Sequence, residues 1–135
     1  MATRSTIAVR TPEGTIRSIY CHWDGYPAGV GQTLNVHYND PTKIEQLISF
    51  GDLSSLHAEI GTANDFGNPD EGICLFYGRD RGEAGIDAVT HDTVDEWIAY
   101  RNDQGCEYGY LWTGVANDFG WLTYNVPSLV EALNV

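Results

Sequence analysis

The stretch TIAVRTPEGTIRSIYCHW, residues 6–23, decides the fold because it contains two strand patterns joined by a turn. Apolar side chains recur at every second position, beginning at Ile7 and continuing to Trp23 after the turn, as in strands with one buried face. The intervening Thr-Pro-Glu-Gly supplies a proline that presets φ and a glycine that accepts a positive φ. We therefore predict a hairpin with strands at 6–9 and 15–23.

Helix and strand signals follow one another irregularly along the rest of the chain. Asp40 and Pro41 form an N-cap with proline at the first helical position, and Thr93 with Glu96 forms a capping box. The apolar run ICLFY has the length of a central buried strand. The predicted helices occupy about 31–38, 41–50, 52–60, a segment from 94 and 127–133, and the remaining strands 73–77, 107–112 and 121–124.

This order of elements indicates the fold class. Strands and helices do not alternate regularly, which favours an α+β fold over a doubly wound one. We predict a mainly antiparallel sheet of about five strands with helices packed on one face. The 135 residues suit one compact domain, 1–135, and no linker or low-complexity segment divides them.

The chain is strongly acidic, with 19 Asp and Glu against seven Lys and Arg and a net charge of −12. Residues 1–23 hold three arginines and one glutamate, whereas residues 24–135 hold eighteen acids and four bases. A negative surface repels nucleic acid and anionic membranes and attracts basic proteins or cations. The same surface could serve solubility alone, and the sequence leaves both readings open.

Cysteine usage and hydropathy indicate the compartment. Cys21, Cys74 and Cys106 are odd in number and widely spaced, which argues against a disulfide framework and a zinc knuckle. The N-terminal residues lack the apolar core of a signal peptide, and no apolar run has the length of a membrane span. We expect a cytoplasmic protein.

One short repeat is present: ANDFG occurs at 63–67 and again at 116–120. The flanking residues do not match, so the chain is not a solenoid. Two similar turns, each with an anchoring phenylalanine, explain the repeat best.

Two polar groups could form a ligand or catalytic site. His22 and Asp24 follow a strand and project to one side of an extended chain, where they could hydrogen-bond or share a cation. Arg79 and Arg81 are paired cations that could grip a carboxylate or phosphate. Structural roles compete in both cases: a histidine held by an aspartate, and a salt-bridged turn.

The remaining motifs give weaker evidence for a functional site. The glycines at 25–31 match neither phosphate-binding fingerprint, and no histidine spacing indicates a metal site. His37 is expected on the apolar face of a helix. The aromatic residues Tyr108, Tyr110 and Trp112 alternate along one strand and are expected in the core or at a protein contact. We expect no cofactor, no metal and no catalytic residue.

Exposed acids in loops and at helix starts are the remaining candidates for binding, because such carboxylates can stand where a partner expects phosphates. These candidates are Asp65, Asp70, Glu71, Asp92, Asp95, Glu96, Asp103 and Asp118.

Four stretches together resemble a known group: the start MATRSTIA, HWDGY, GDLSSL and FYGRDRGE. The group consists of small acidic proteins encoded by tailed phages and without an assigned function. The resemblance covers about residues 1–83 and implies a phage accessory protein in the host bacterial cytoplasm. It brings no catalytic residues.

Charge and resemblance together favour a stoichiometric inhibitor. We expect binding to a basic or nucleic-acid-binding host or defence protein through the acidic surface, as a nucleic-acid mimic or anti-defence inhibitor such as an anti-CRISPR protein. Direct nucleic-acid or membrane binding is not expected, and the oligomeric state is open. The alternative is a small enzyme or ligand-binding protein with a site near His22, Asp24, Arg79 and Arg81.

Overall fold

The structure is a computed structural model that describes residues 2–114 and 120–133. Its elements, in chain order, are β1 (Ser5–Arg10), β2 (Ile16–Cys21), a π-helical segment (Pro27–Gly31), α1 (Gln32–His37), α2 (Pro41–Ser49), β3 (Leu53–Ser55), β4 (Leu75–Phe76), α3 (Tyr77–Arg81), β5 (Val89–His91), α4 (Val94–Asp103), β6 (Tyr108–Trp112), β7 (Trp121–Asn125) and α5 (Val126–Leu133).

The predicted hairpin is confirmed. β1 and β2 pair antiparallel from Ser5 opposite Cys21 to Arg10 opposite Ile16. Gly14, with φ of 86°, closes the turn as its proline–glycine chemistry predicts. This hairpin lies at the centre of the sheet, whose order is β4-β3-β2-β1-β6-β7 with β5 also paired to β2.

The predicted α+β class is confirmed, whereas the strand number is wrong and the sheet is mixed, with four antiparallel and two parallel pairings among the described strands. The described residues form seven strands, and the sheet is mixed: β1 pairs parallel with β6, and β2 pairs parallel with β3. The two helices between β2 and β3 form the long connection that a parallel neighbour requires. The irregular order of strands and helices along the chain is therefore compatible with parallel as well as antiparallel strand pairs.

Helices cover both faces of the sheet rather than one. Ile7 packs in a core cluster with residues of α1 and α2, whereas its neighbour Ala8 packs with α4 and α5. All of Ser5–Val9 is buried, as expected for a strand covered on both sides. The sequence did not indicate two covered faces, because Ser5 and Thr6 are polar residues and are nevertheless buried.

Several local predictions are corrected. The predicted helix at 52–60 is strand β3 and a loop, because the N–H groups of His22 and Trp23 donate to the carbonyls of Leu53 and Ser54. The apolar run at 73–77 is not a central strand. Only Leu75 and Phe76 form β4, at the end of the strand order, and the charged turn that follows is helix α3.

The first short helix places His37 differently from the prediction. Leu34 and Tyr38 are fully buried, and His37 between them is exposed. The glycine-rich segment before this helix contains the π-helical turn.

Both predicted helix caps are confirmed. The Asp40 carboxylate accepts from the N–H of Thr42 at 2.9 Å. The Thr93 hydroxyl accepts from the N–H of Glu96 at 3.1 Å, and the Glu96 carboxylate accepts from the N–H of Asp92 at 3.1 Å. The three cysteines are free and buried.

Candidate functional site

Arg79 is held entirely within the fold. Its Nη1 donates to the carbonyls of Ile60 and Gly61 at 2.9 and 3.1 Å, and its Nη2 donates to the carbonyl of Cys74 at 3.0 Å. Its Nε and Nη2 also donate to the two carboxylate oxygens of Asp80, at 2.9 and 3.2 Å. These bonds account for the five N–H donors of a guanidinium. Arg79 has no donor left for a ligand.

Asp80 completes this structural unit. Its side chain is fully buried and also accepts from the N–H groups of Phe76 and Asn64, at 2.7 and 2.9 Å. Burial alone raises the pKa of Asp80, but the Arg79 guanidinium and these N–H groups outweigh it and hold the pKa below its usual value. The guanidinium also lies over the rings of Phe50 and Phe76. We call Arg79 and Asp80 the ion-pair hub.

Arg81, by contrast, lies at the surface. Its Nε donates to the Glu83 carboxylate at 2.6 Å, and the arginine side chain is half exposed. Its guanidinium stands 4.4 Å from the ring centre of Phe66 and 5.1 Å from that of Tyr77. Arg81 thus combines an ion pair with aromatic contacts, and it shares no contact with the hub's guanidinium.

His22 and Asp24 do not bond to each other. His22 Nδ1 lies 2.9 Å from the Tyr20 hydroxyl, and its ring meets Trp23 edge-on at 4.7 Å. Burial, and after it the charge of Arg4, lower the pKa of His22 and so favour its neutral ring. The Asp24 carboxylate accepts from the Tyr26 hydroxyl at 3.3 Å. The residues of the alternative site therefore have separate partners.

Seven of the eight acidic candidates are exposed, and Asp118 lies outside the described residues. Three ion pairs occur among the described residues, Arg17–Glu45, Arg79–Asp80 and Arg81–Glu83. None of the seven takes part in them. Their charges are therefore not neutralised by a neighbouring base in the part of the chain that the structure describes.

One group of these acids lies on an ordered loop between β3 and β4. Asn64 holds the loop: its side-chain oxygen accepts from the N–H groups of Asp65 and Asp70, and its amide donates to the carbonyls of Asp70 and Ile73. The Asp65 carboxylate accepts from the N–H of Gly67 at 2.8 Å. Glu71 follows on the same loop and is exposed. The fold thus holds the backbone that presents these carboxylates.

The loop also contains the first copy of the short repeat. Residues 63–67 form the predicted turn, and Phe66 stacks on Tyr77 with ring centres 5.8 Å apart. Residues 116–119 of the second copy lie outside the described residues.

The second group of acids surrounds α4. Asp92 precedes the helix, Asp95 and Glu96 occupy its first turn, and Asp103 ends it. Acidic side chains in a first turn are stabilised by the helix dipole. The positions of Asp95 and Glu96 therefore have a local structural reason in addition to any role in binding.

Sequence reasoning missed a buried polar cluster beneath α4. Arg101 is only 1% exposed, and its Nε and Nη2 donate to Ser18 while its Nη1 donates to Gln104. Because a guanidinium only donates, the Ser18 hydroxyl directs its own hydrogen to His91 Nε2, 2.8 Å away. The one available signal was helical spacing, since Arg101 follows the buried Trp97 by four residues.

Burial shifts the pKa values of several groups in this region, among them His91 and Asp52. Burial, and after it Arg101, lower the pKa of His91 to about 4. Burial raises the pKa of Asp52, whose carboxylate accepts from the N–H of Tyr20 at 2.9 Å. A depression of about 220 Å³ is lined by Tyr20, Asp52 and Gln104, and Arg101 is not among its lining residues and is buried.

The described residues were compared with the patterns expected of a metal site and of a membrane-spanning helix. Within residues 2–114 and 120–133, no three His, Cys, Asp or Glu side chains gather as metal ligands. No helix in that part of the chain is both long and apolar enough to cross a bilayer. Tyr110 and Trp112 are buried in the core as one of the two predictions for them stated, and Tyr108 packs against that core.

Comparison with family models, curated proteins and solved structures finds no match to this chain. Its function therefore has to be argued from its own residues.

Proposed function

We propose that this protein is a phage accessory protein that binds a basic, nucleic-acid-binding host or defence protein in the bacterial cytoplasm and blocks that protein's nucleic-acid site. Binding is stoichiometric and uses the exposed carboxylates of the 65–71 loop and of α4. An anti-CRISPR inhibitor is one instance of this class.

The observation that carries the proposal is the set of exposed acids without ion pairs. Asp65, Asp70 and Glu71 lie on a loop fixed by Asn64, so their backbone does not have to be ordered on binding. Preorganised charges lose less entropy when a partner docks. A net charge of −12 on 135 residues also steers a basic partner toward the surface.

The alternative, a ligand or catalytic site, has less support. A ligand or catalytic site would need the Arg79 guanidinium as a free cation, but its five N–H groups all donate to acceptors within the fold. It also needed His22 and Asp24 to act together, and each has its own partner. A binding module fits the geometry better than an enzyme does.

The test is capture of proteins from phage-infected bacteria on two variants of equal charge. The first variant, D65N/D70N/D95N/E96Q, removes four proposed contacts while its amides keep the loop and cap hydrogen bonds. The matched variant, E13Q/E59Q/E107Q/E131Q, removes four exposed acids elsewhere. Each leaves a net charge of −8, four less negative than the native −12.

We expect the first variant to lose basic nucleic-acid-binding proteins by about tenfold or more, because four modest contacts add up to that much. The matched variant should retain most of them. Equal capture by both variants and the native protein would contradict the proposal.

A further inference from the structure

Two of the most exposed large hydrophobic side chains flank one carboxylate in the loop after β2. Trp23 is 44% exposed and Tyr26 is 42% exposed, with Asp24 between them. Tryptophan and tyrosine are the residues that most often dominate binding energy at protein interfaces. We call residues 23–26 the aromatic loop.

The aromatic loop is rigid at its base. The N–H of Gly25 donates to the carbonyl of Thr3 at 2.8 Å, and its own carbonyl accepts from the Tyr110 hydroxyl at 2.6 Å. A side chain at Gly25 would begin 2.7 Å from Thr3 and Ser5, so the backbone is closely packed there. The exposed rings therefore stand on a fixed support.

Neighbouring side chains orient the exposed groups. The His22 ring, bonded to the Tyr20 hydroxyl, supports Trp23 edge-on. The Tyr26 hydroxyl donates to the Asp24 carboxylate. Both contacts reduce the rotamer freedom that binding would otherwise have to remove.

Asp24 has an unfavourable backbone conformation. Its φ of 57° makes it the one non-glycine with positive φ among the described residues, and its carbonyl accepts from the N–H of Val30 at 2.8 Å. Such conformations cost free energy and concentrate at functional sites. The fold thus maintains an unfavourable backbone conformation at Asp24, whose carboxylate lies between two exposed rings.

This combination of groups recognises a cation. A guanidinium stacks on aromatic faces and pairs with a carboxylate, whereas a lysine ammonium is more strongly hydrated and lacks the planar fork. The protein already contains one such arrangement, since Arg81 lies over Phe66 and Tyr77 while bonded to Glu83. The nearby cation Arg4 is directed elsewhere and donates to the carbonyl of Gln104.

We infer that the aromatic loop binds an arginine side chain of the basic partner, with the guanidinium on Trp23 and Tyr26 and against the Asp24 carboxylate. The inference rests on the proposed function and deepens it. The dispersed acids supply long-range attraction, and the aromatic loop supplies a short-range contact that salt screens less.

The experiment titrates octa-arginine and octa-lysine into the native protein, W23A, D24N and Y100A, at about 25 mM and about 500 mM salt. Asparagine tolerates positive φ, so D24N removes the charge and keeps the backbone. Tyr100 is 40% exposed on α4 and makes Y100A a control for the loss of an exposed ring.

We expect W23A and D24N to weaken octa-arginine binding at high salt by about fivefold to tenfold, and Y100A by less than about twofold. Native protein should prefer octa-arginine to octa-lysine, and W23A should lose that preference. If W23A and D24N bind octa-arginine as the native protein does, and binding still weakens with salt, the inference fails while the acidic surface stands. If the native protein binds neither peptide at low salt, the proposed function fails.

A second measurement needs no variant. Of the four tryptophans, Trp97, Trp112 and Trp121 are buried and Trp23 is exposed. In an NMR titration with octa-arginine, we expect the one indole N–H in rapid exchange with water to shift most. Absence of any shift in that signal at saturation would overturn the inference even if W23A did not fold.

Discussion

The ion-pair hub follows β4 and the aromatic loop follows β2, the two strands on either side of β3, yet the two regions differ in how far their polar groups are exposed. Arg79 directs every N–H to an acceptor inside the fold, and Asp80 is fully buried against it. Trp23 and Tyr26 keep more than two fifths of their surface in solvent, around Asp24. The first region is satisfied without a ligand and the second is open. On that difference we assign a structural role to the ion-pair hub and propose a binding role for the aromatic loop.

The largest effect should come from breaking the hub. Arg79→Ala leaves the Asp80 carboxylate buried and unpaired, so we expect a loss of about 3–5 kcal/mol in the free energy of unfolding. Urea denaturation measures it. Arg79→Lys should recover only part, because an ammonium cannot reproduce five planar donors. A loss below about 1 kcal/mol would mean that the hub does not hold the fold.

A second effect concerns acid stability at the buried cluster. His91 titrates near 6.5 when unfolded and at about 4 in the fold, so the unfolded chain binds more protons between these values. Stability should therefore fall by roughly 2–3 kcal/mol as pH drops from 6.5 to 4. The control is His91→Gln, which removes the titration of His91 and leaves all Asp and Glu residues unchanged. The unfolding free energy of both proteins is measured by urea denaturation across this pH range. If the unfolding free energies of the two proteins change with pH in parallel, the lowered pKa of His91 is refuted.

The smallest effect should be found in the aromatic loop. His22→Ala and Asp24→Asn should each lower the unfolding free energy by less than about 1 kcal/mol, because both side chains border solvent and make single hydrogen bonds. Thermal denaturation beside Arg79→Ala tests the contrast directly. Losses as large as the hub's would show that the aromatic loop is structural and would remove the distinction between the two regions.

Local chemistry predicted much of the fold. The hairpin turn, the Asp40 cap and the Thr93–Glu96 box each depend on residues close in sequence, and all three formed. Pairing between distant strands was not predictable in this way. Parallel neighbours such as β1 and β6 are set by which strands come together in space, and no short pattern encodes that choice.

In the candidate site, too, local features were predictable from the sequence and long-range contacts were not. Exposure of charged loop residues could be predicted from composition, and seven of the acids are exposed. Besides the adjacent Asp80, the partners of Arg79 are carbonyls of residues up to 19 positions away, and those of Arg101 include Ser18, 83 positions away. The salt-bridged turn expected as one role for Arg79 and Arg81 did form, whereas only helical spacing indicated the burial of Arg101. Trp23 is the opposite case: its place in the apolar strand pattern indicated a buried residue, and it is exposed.

Displacement of labelled duplex DNA from the captured partner tests the central claim most directly. The protein alone should bind no duplex, because its surface charge repels phosphates. Added to the partner–DNA complex, it should release the DNA at a ratio of about one protein per site, and D65N/D70N/D95N/E96Q should release far less at equal concentration. A stable ternary complex, with DNA still bound and the partner saturated, would contradict mimicry of nucleic acid by this surface.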